Sequence, residues 1–244
     1  MTPDGRESAI EISGTLRELA RAHRILDLEG HNDMSLGHLS WRDPLGRGLW
    51  LKRGNIGLEE VTETDFILID FEGDVLEGDG LLHLEWPIHS EILRSRPEVN
   101  VVAHTHPFHA KVLSATEVEI GPYTNEGVWF EAGVPHFKLT SDLVTTPELG
   151  RGLAEALGNH EAVLLKNHGA CFVGASVREA TLAGLFLEEA ARVQLTLLSS
   201  HLPHQHSAQD EIRQKRRTIY PPRAVENFWQ YYNRKLDRVE GTRP

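Results

Sequence analysis

Two histidines, His104 and His106, sit two residues apart at the end of the apolar run Val99-Asn100-Val101-Val102-Ala103. In a strand, residues i and i+2 face the same side, so both imidazoles point together. A third histidine, His168, follows a second apolar run, Ala162-Val163-Leu164-Leu165, within the turn sequence Asn167-His168-Gly169. Neutral imidazole is a ligand for zinc and other divalent transition ions. Three protein ligands leave one coordination position free, the arrangement of a catalytic rather than a structural site. Glu85 lies upstream of the pair and offers either a fourth ligand or a general acid/base. It opens an expected helix, where local N–H groups stabilise a carboxylate. Read alone, the His-x-His pair also fits two satisfied polar residues, and Glu85 an ordinary helix start. His89, one helical turn later, either orients Glu85 or fills the core.

The elements that must position these groups follow from hydrophobic period and turn chemistry. Residues 1–8 read as a frayed polar start, and 10–28 as a helix with apolar residues at helical spacing. Strands are expected over 36–42, 49–52 and 66–70, with a short edge strand at 75–77. A helix over 86–94 has Pro87 in its first turn, where the missing N–H is not needed. The strand 99–106 and a helix from 108 follow, then a less regular stretch over 116–136. A helix over 146–157 and strands over 162–166 and 170–174 lead to a long helix from Ser176, with Glu179 as its capping-box partner. Residues 207–238 read as helical and amphipathic, broken at Pro221-Pro222. Strands and helices alternate with antiparallel pairs, which predicts an α/β layered domain with a mixed or antiparallel sheet. The expected division is one catalytic domain over 1–206 and a helical tail over 207–244 that packs on it or on a neighbouring subunit.

Bulk composition narrows the partners. The chain has 244 residues, 40% hydrophobic and 25% charged, as in a globular domain. A net charge of −11 argues against nucleic acid, and Lys215-Arg216-Arg217 reads as a solvated helix face beside Asp210 and Glu211. No apolar run reaches the length of a membrane span and no secretory signal opens the chain, so a cytoplasmic protein is expected. The single cysteine, Cys171, lies in an expected strand and reads as a small core residue. His201, His204 and His206 fall in a Ser/Pro/Gln linker and read as a solvated loop.

Taken together, Gly37-His38-Leu39-Ser40, Glu85-Trp86-Pro87-Ile88-His89, Ser95-Arg96-Pro97, His104-Thr105-His106 and Asn167-His168-Gly169 resemble the class II aldolase/adducin family in order and spacing. The resemblance covers about residues 10–200. It implies a three-layer α/β/α fold on a largely antiparallel central sheet. It implies a divalent metal on His104, His106 and His168, with zinc the first expectation and manganese, iron or cobalt open. Glu85 is implied as acid/base or fourth ligand. A homotetramer with active sites at subunit interfaces is implied too. Tyr231 and Tyr232 are candidates to reach a neighbouring site, or else belong to a packed aromatic tail with Phe228 and Trp229.

The sugar-phosphate aldolases of the family hold phosphate with Gly-Asn-(apolar)-Ser, a Thr-Gly pair and two serines before the catalytic Glu. Here those places read Gly37-His38-Leu39-Ser40, Gly54-Asn55 and His83-Leu84. Leucine cannot donate to phosphate, so a non-phosphorylated hydroxy or oxo carboxylate is expected. Ser40, Lys52, Arg53 and Tyr232 are the candidate substrate contacts, with Arg53 able to fork onto a carboxylate. Lys52 and Arg53 fit two exposed strand-end cations equally well. The implied chemistry is a carbon–carbon lyase, decarboxylase or aldolase, working through a metal-chelated enediolate. Glu85 or His38 would deliver the proton. A non-haem iron oxygenase and a non-enzymatic adducin-like interaction module are the alternatives.

Overall fold

The computed structural model describes residues 3–241, with side chains from residue 10 onward. The expectations for residues 1–2 and 242–244 lie outside the described residues. In chain order the elements are α1 (Pro3–Leu26), β1 (His38–Arg42), β2 (Leu49–Lys52), β3 (Phe66–Ile69), β4 (Val75–Glu77), α2 (Trp86–Ser95), β5 (Val101–Thr105), α3 (Phe108–Ser114), α4 (Asn125–Val128), β6 (His136–Phe137), α5 (Pro147–Leu157), β7 (Ala162–Leu165), β8 (Gly169–Gly174), α6 (Val177–Ser200), α7 (Gln209–Ile219) and α8 (Pro222–Glu240). Among the described residues the strands form one sheet in the order β4-β3-β2-β1-β5-β8-β7-β6. Every neighbouring pair is antiparallel except β6 with β7.

Alternation along the central strands builds two cores. Val101 and Ala103 of β5 and Ala170 and Phe172 of β8 face one side, with Leu19 and Ile25 of α1, Leu113 of α3, Leu182 of α6 and Trp229 of α8. Val102, Cys171 and Val173 face the other, against Ile88, Ile92 and Leu93 of α2 and Leu153 and Leu157 of α5. This is the three-layer α/β/α arrangement. Each fully buried Ile or Leu contributes about 1.5–3 kcal/mol, so Ile88, Ile92 and Leu93, all 0% exposed, anchor α2 and fix where Glu85 stands. The far end of α2 is tied to β1, because Arg42 donates to the carbonyls of Leu93, Arg96 and Val99. Glycine at 150 lets α5 close on α2, since a Cβ there would lie 2.6 Å from the Pro87 carbonyl oxygen. The α6 cap is formed by Ser176, which accepts from the Glu179 N–H. Glu179 in turn takes the Ala175 N–H, one residue before the cap.

Two expectations are corrected, and two short elements were not anticipated. Helix α1 already begins at Pro3 rather than after a frayed segment, consistent with a proline and an acidic first turn at a helix start. Strand β5 ends at Thr105, leaving His106 just beyond it, where Pro107 has no N–H to continue a ladder. The stretch 116–136 contains the one-turn α4, capped by the Thr124 side chain. Strand β6 is two residues long and parallel to β7, too short to carry a period. Among the described residues no helix is long and apolar enough to cross a membrane.

Candidate metal centre

Sheet register sets the centre of the site. His104 on β5 lies opposite His38 on β1 and opposite Cys171 on β8. The His104 ring is fully buried and donates its Nδ1–H to the Ala170 carbonyl at 3.1 Å. In the neutral ring that bond places the proton on Nδ1 and leaves Nε2 its lone pair; although burial opposes it, the neighbouring Cys171 and Glu85 raise the ring well above the usual imidazole value, so an ion there would displace the Nε2 proton. Nε2 of His106 lies 3.0 Å from Nε2 of His104. His168 is presented by a tight turn in which Asn167 takes φ 55 and the His168 N–H bonds the Leu165 carbonyl at 3.0 Å. Its ring centroid is 4.8 Å from that of His104 and 5.0 Å from that of His106. One ligand atom from each of the three histidines falls within 4.8 Å of the others.

Glu85 completes the group by a route other than the expected one. Its side chain makes no cap hydrogen bond at the start of α2. Pro87 has no N–H to give there. Oε1 accepts the Val144 N–H at 2.8 Å instead, and Oε2 lies 3.5 Å from His104 Nε2 and 3.8 Å from His168 Nε2. Burial alone would raise the Glu85 carboxyl, but the His104 and His168 imidazoles and the Val144 amide outweigh it and hold the group at about 2. Burial, reinforced by the neighbouring His104 and His168, holds His106 at about 2. His168 is lowered chiefly by burial as well. Two imidazole nitrogens 3.0 Å apart repel each other unless a proton or a cation lies between them. Neutral imidazoles with a carboxylate beside them are the donor set a divalent transition ion takes, at bonds of about 2.0–2.2 Å. The residues present therefore fit a metal.

A hydrogen-bonded chain backs the site. Ser40 Oγ is 2.7 Å from His89 Nδ1, and His89 Nε2 is 2.6 Å from His38 Nδ1. All three side chains are buried. His38 thus has one ring nitrogen engaged, and it groups with Glu85 and His104. His89 neither orients Glu85 nor serves as mere filling; it connects Ser40 to His38.

Above these groups opens a cleft of about 590 Å³. Its polar side carries Asp33, His38, His83, Glu85, His106 and His168, and its apolar side Leu36, Leu81, Leu82, Leu84 and Leu143. Among the described residues no lysine or arginine lines it. None of the four expected substrate contacts lines this cleft within the single chain. Ser40 is engaged by His89 beneath His38. Lys52 is fully buried, its ammonium 2.7 Å from the Ile56 carbonyl and 3.4 Å from those of Ser35 and Arg53, and burial lowers it to about 8. Arg53 pairs with Asp65 at 2.8 Å. Tyr232 lines a separate cavity with Glu29 and His109. Sequence reasoning named His83 and Leu84 but missed Asp33 and the rest of the leucine wall, Leu36, Leu81, Leu82 and Leu143. The polar stretch His31-Asn32-Asp33 between the expected helix and the first strand is the signal that points to Asp33.

Residues 17–195 match the family described as Class II Aldolase and Adducin N-terminal domain. The chain belongs to that family. It is 28% identical over 204 residues to the 3,4-dihydroxyphthalate decarboxylase of Rhodococcus jostii (strain RHA1), covering 78% of this chain and 83% of the relative. The protein of that name from Terrabacter sp. (strain DBF63) is 32% identical over 193 residues, covering 75% and 80%. The solved L-fuculose 1-phosphate aldolase of Glaciozyma antarctica PI12 superposes with a TM-score of 0.84 at 24% identity, over 96% of this chain and 92% of that one. That likeness establishes the class II aldolase fold.

Proposed function

We propose that this protein is a divalent-metal-dependent carbon–carbon lyase that decarboxylates a hydroxylated, non-phosphorylated aromatic carboxylate. The observation that carries the reading is a complete His104–His106–His168–Glu85 group beneath a leucine-walled cleft without a cationic side chain. The three histidines would hold the ion, zinc first, with manganese, iron or cobalt as substitutes. When bound it supplies Lewis-acid stabilisation of negative charge on a substrate oxygen. Glu85 Oε2 takes the proton of the substrate hydroxyl, and that same proton, given back by Glu85 itself or relayed through His38 beside it, goes to the carbon that loses carbon dioxide. His89 holds His38 in orientation for that transfer. Leu36, Leu81, Leu84 and Leu143 receive the planar ring and exclude water. Among the described residues no ammonium or guanidinium lines the cleft to hold a phosphate away from the ion, so the substrate's carboxylate would be held by the ion itself. The two relatives named as decarboxylases support the same reaction class.

The assembly that suits this reading is a homotetramer with interfacial active sites. Met34, Leu81 and Leu84 stand 78%, 62% and 69% exposed in the single chain, and a neighbour would cover such a patch. A fully buried lone thiol suits the reducing cytoplasm. The deciding experiment screens hydroxylated benzoates and phthalates, with oxo-acids alongside, for carbon dioxide release by metal-loaded protein with and without oxygen. Oxygen-independent release, abolished by His106→Ala in a folded protein, is expected. Release of an aldehyde reassigns the protein as an aldolase, and strict oxygen dependence as an oxygenase. Failure to bind any divalent ion leaves an interaction module.

A further inference from the structure

The segment between α1 and β1 passes directly over the metal ligands. His31 is fully buried and its Nδ1 lies 2.9 Å from the hydroxyl of Thr105, the residue between His104 and His106. That contact ties the segment to β5. Three residues on, Met34 takes φ 53, a left-handed conformation that costs a side-chain-bearing residue about 1–2 kcal/mol. The turn it makes is closed by the Leu36 N–H on the Asp33 carbonyl at 3.1 Å. Its consequence is the placement of the Asp33 carboxylate. Oδ2 lies 3.1 Å from His106 Nδ1 and 3.8 Å from the Lys111 ammonium.

His106 Nδ1 is a buried polar atom without an aligned hydrogen bond. With an ion on Nε2, the proton of the neutral ring must sit on Nδ1. Leaving that N–H unpaired would cost about 1–3 kcal/mol, and Asp33 Oδ2 stands 3.1 Å away to accept it. His104 has the Ala170 carbonyl in the corresponding place. A carboxylate in that position also raises the basicity of the ligating nitrogen, which a carbonyl does less. We propose that Asp33 is the positioning residue for His106: it accepts the Nδ1–H, fixes the ring plane and strengthens the metal bond, with Lys111 balancing its charge. The inference rests on the metal reading above.

The test uses full-length protein stripped of metal and titrated with Co²⁺ against a competing chelator, with visible absorption recorded at saturation. Asp33→Ala should weaken Co²⁺ binding about 10–100-fold and shift the absorption bands. Asp33→Asn, which keeps an accepting oxygen, should lose less. Should the alanine variant fail to fold, the asparagine variant decides by a measurable loss of affinity. Variants that bind Co²⁺ with wild-type affinity and spectrum overturn the assignment, and so does a lower melting temperature with unchanged binding. Wild-type protein that takes up no Co²⁺ overturns the metal reading itself, which separates the two failures.

Discussion

Gly169→Ala should disable the metal centre without replacing a ligand. A Cβ at 169 would lie 2.5 Å from Cδ2 of His106 and 2.6 Å from the Thr105 carbonyl oxygen. Carbon atoms pack at about 3.5–4.0 Å, so one group must give by roughly 1 Å. The Thr105 carbonyl is poorly placed to move, because Thr105 pairs with Ala170 in the β5–β8 ladder. The His106 ring lies beyond the strand end and yields instead. Metal–ligand distances tolerate about 0.2 Å, so a shift of that size removes His106 from coordination. Overpacking of this kind costs about 1–3 kcal/mol, and each kcal/mol lowers the melting temperature of a chain this size by about 2–4 °C. The assay is a double-mutant cycle with His106→Ala, read by thermal unfolding and by Co²⁺ competition. Gly169→Ala should lose tight Co²⁺ binding. Its destabilisation should shrink when the ring is already gone. Unchanged affinity in Gly169→Ala, or additive effects in the cycle, would refute the steric argument.

Two further outcomes follow from the charges. Glu85→Gln keeps an oxygen for the Val144 N–H and should stay folded and retain Co²⁺ while its rate falls about 10²–10⁴-fold; loss of the ion along with the rate would make Glu85 a ligand. Burial holds His23 and His31 at about 3, against 6.5 in an unfolded chain, so between those values the unfolded state binds more protons and stability falls as pH drops below 6.5. Each should contribute a loss of about 2 kcal/mol by pH 5. Urea melts at pH 7.5 and pH 5 should show that part of the drop missing in His23→Gln; an identical pH dependence in the variant contradicts it.

What was legible in the chain depended on local repetition. Val101, Val102 and Ala103 alternate between the two cores, so both faces of β5 are buried and the strand reads in the sequence as an unbroken apolar run. Ser176 and Thr146 accept from the N–H groups three residues on, as caps should. Elements of two or four residues, β6 and α4, leave no period to read. Lys52 is the sharper failure. A lysine at a strand end reads as exposed, but its ammonium is buried among carbonyls of Ser35, Arg53 and Ile56, and only the folded loop reveals them. Glu85 was legible as a carboxylate beside the histidines yet not in its partner, because the Val144 amide comes from a segment far along the chain.

The two halves of the cleft therefore differ in how they are encoded. The metal-facing half comes from strand ends and one helix start: His38 and His104 in adjacent strands, His106 and His168 just past theirs, Glu85 before α2. Register fixes His38 and His104, and a one-residue slip would turn His104 into the opposite core. The other half comes from connecting segments, with Leu36 before β1, Asn55 after β2, Leu81 and Leu84 before α2, and Leu143 before α5. Connecting segments tolerate exchange without disturbing the sheet. A chain built this way can keep its metal grip while its substrate wall is rewritten from hydrogen-bond donors to leucines. The separation has a consequence at the bench: Leu84→Ser should alter which acids bind while leaving Co²⁺ affinity unchanged. A loss of Co²⁺ binding in that variant would show that the wall and the metal floor are not independent.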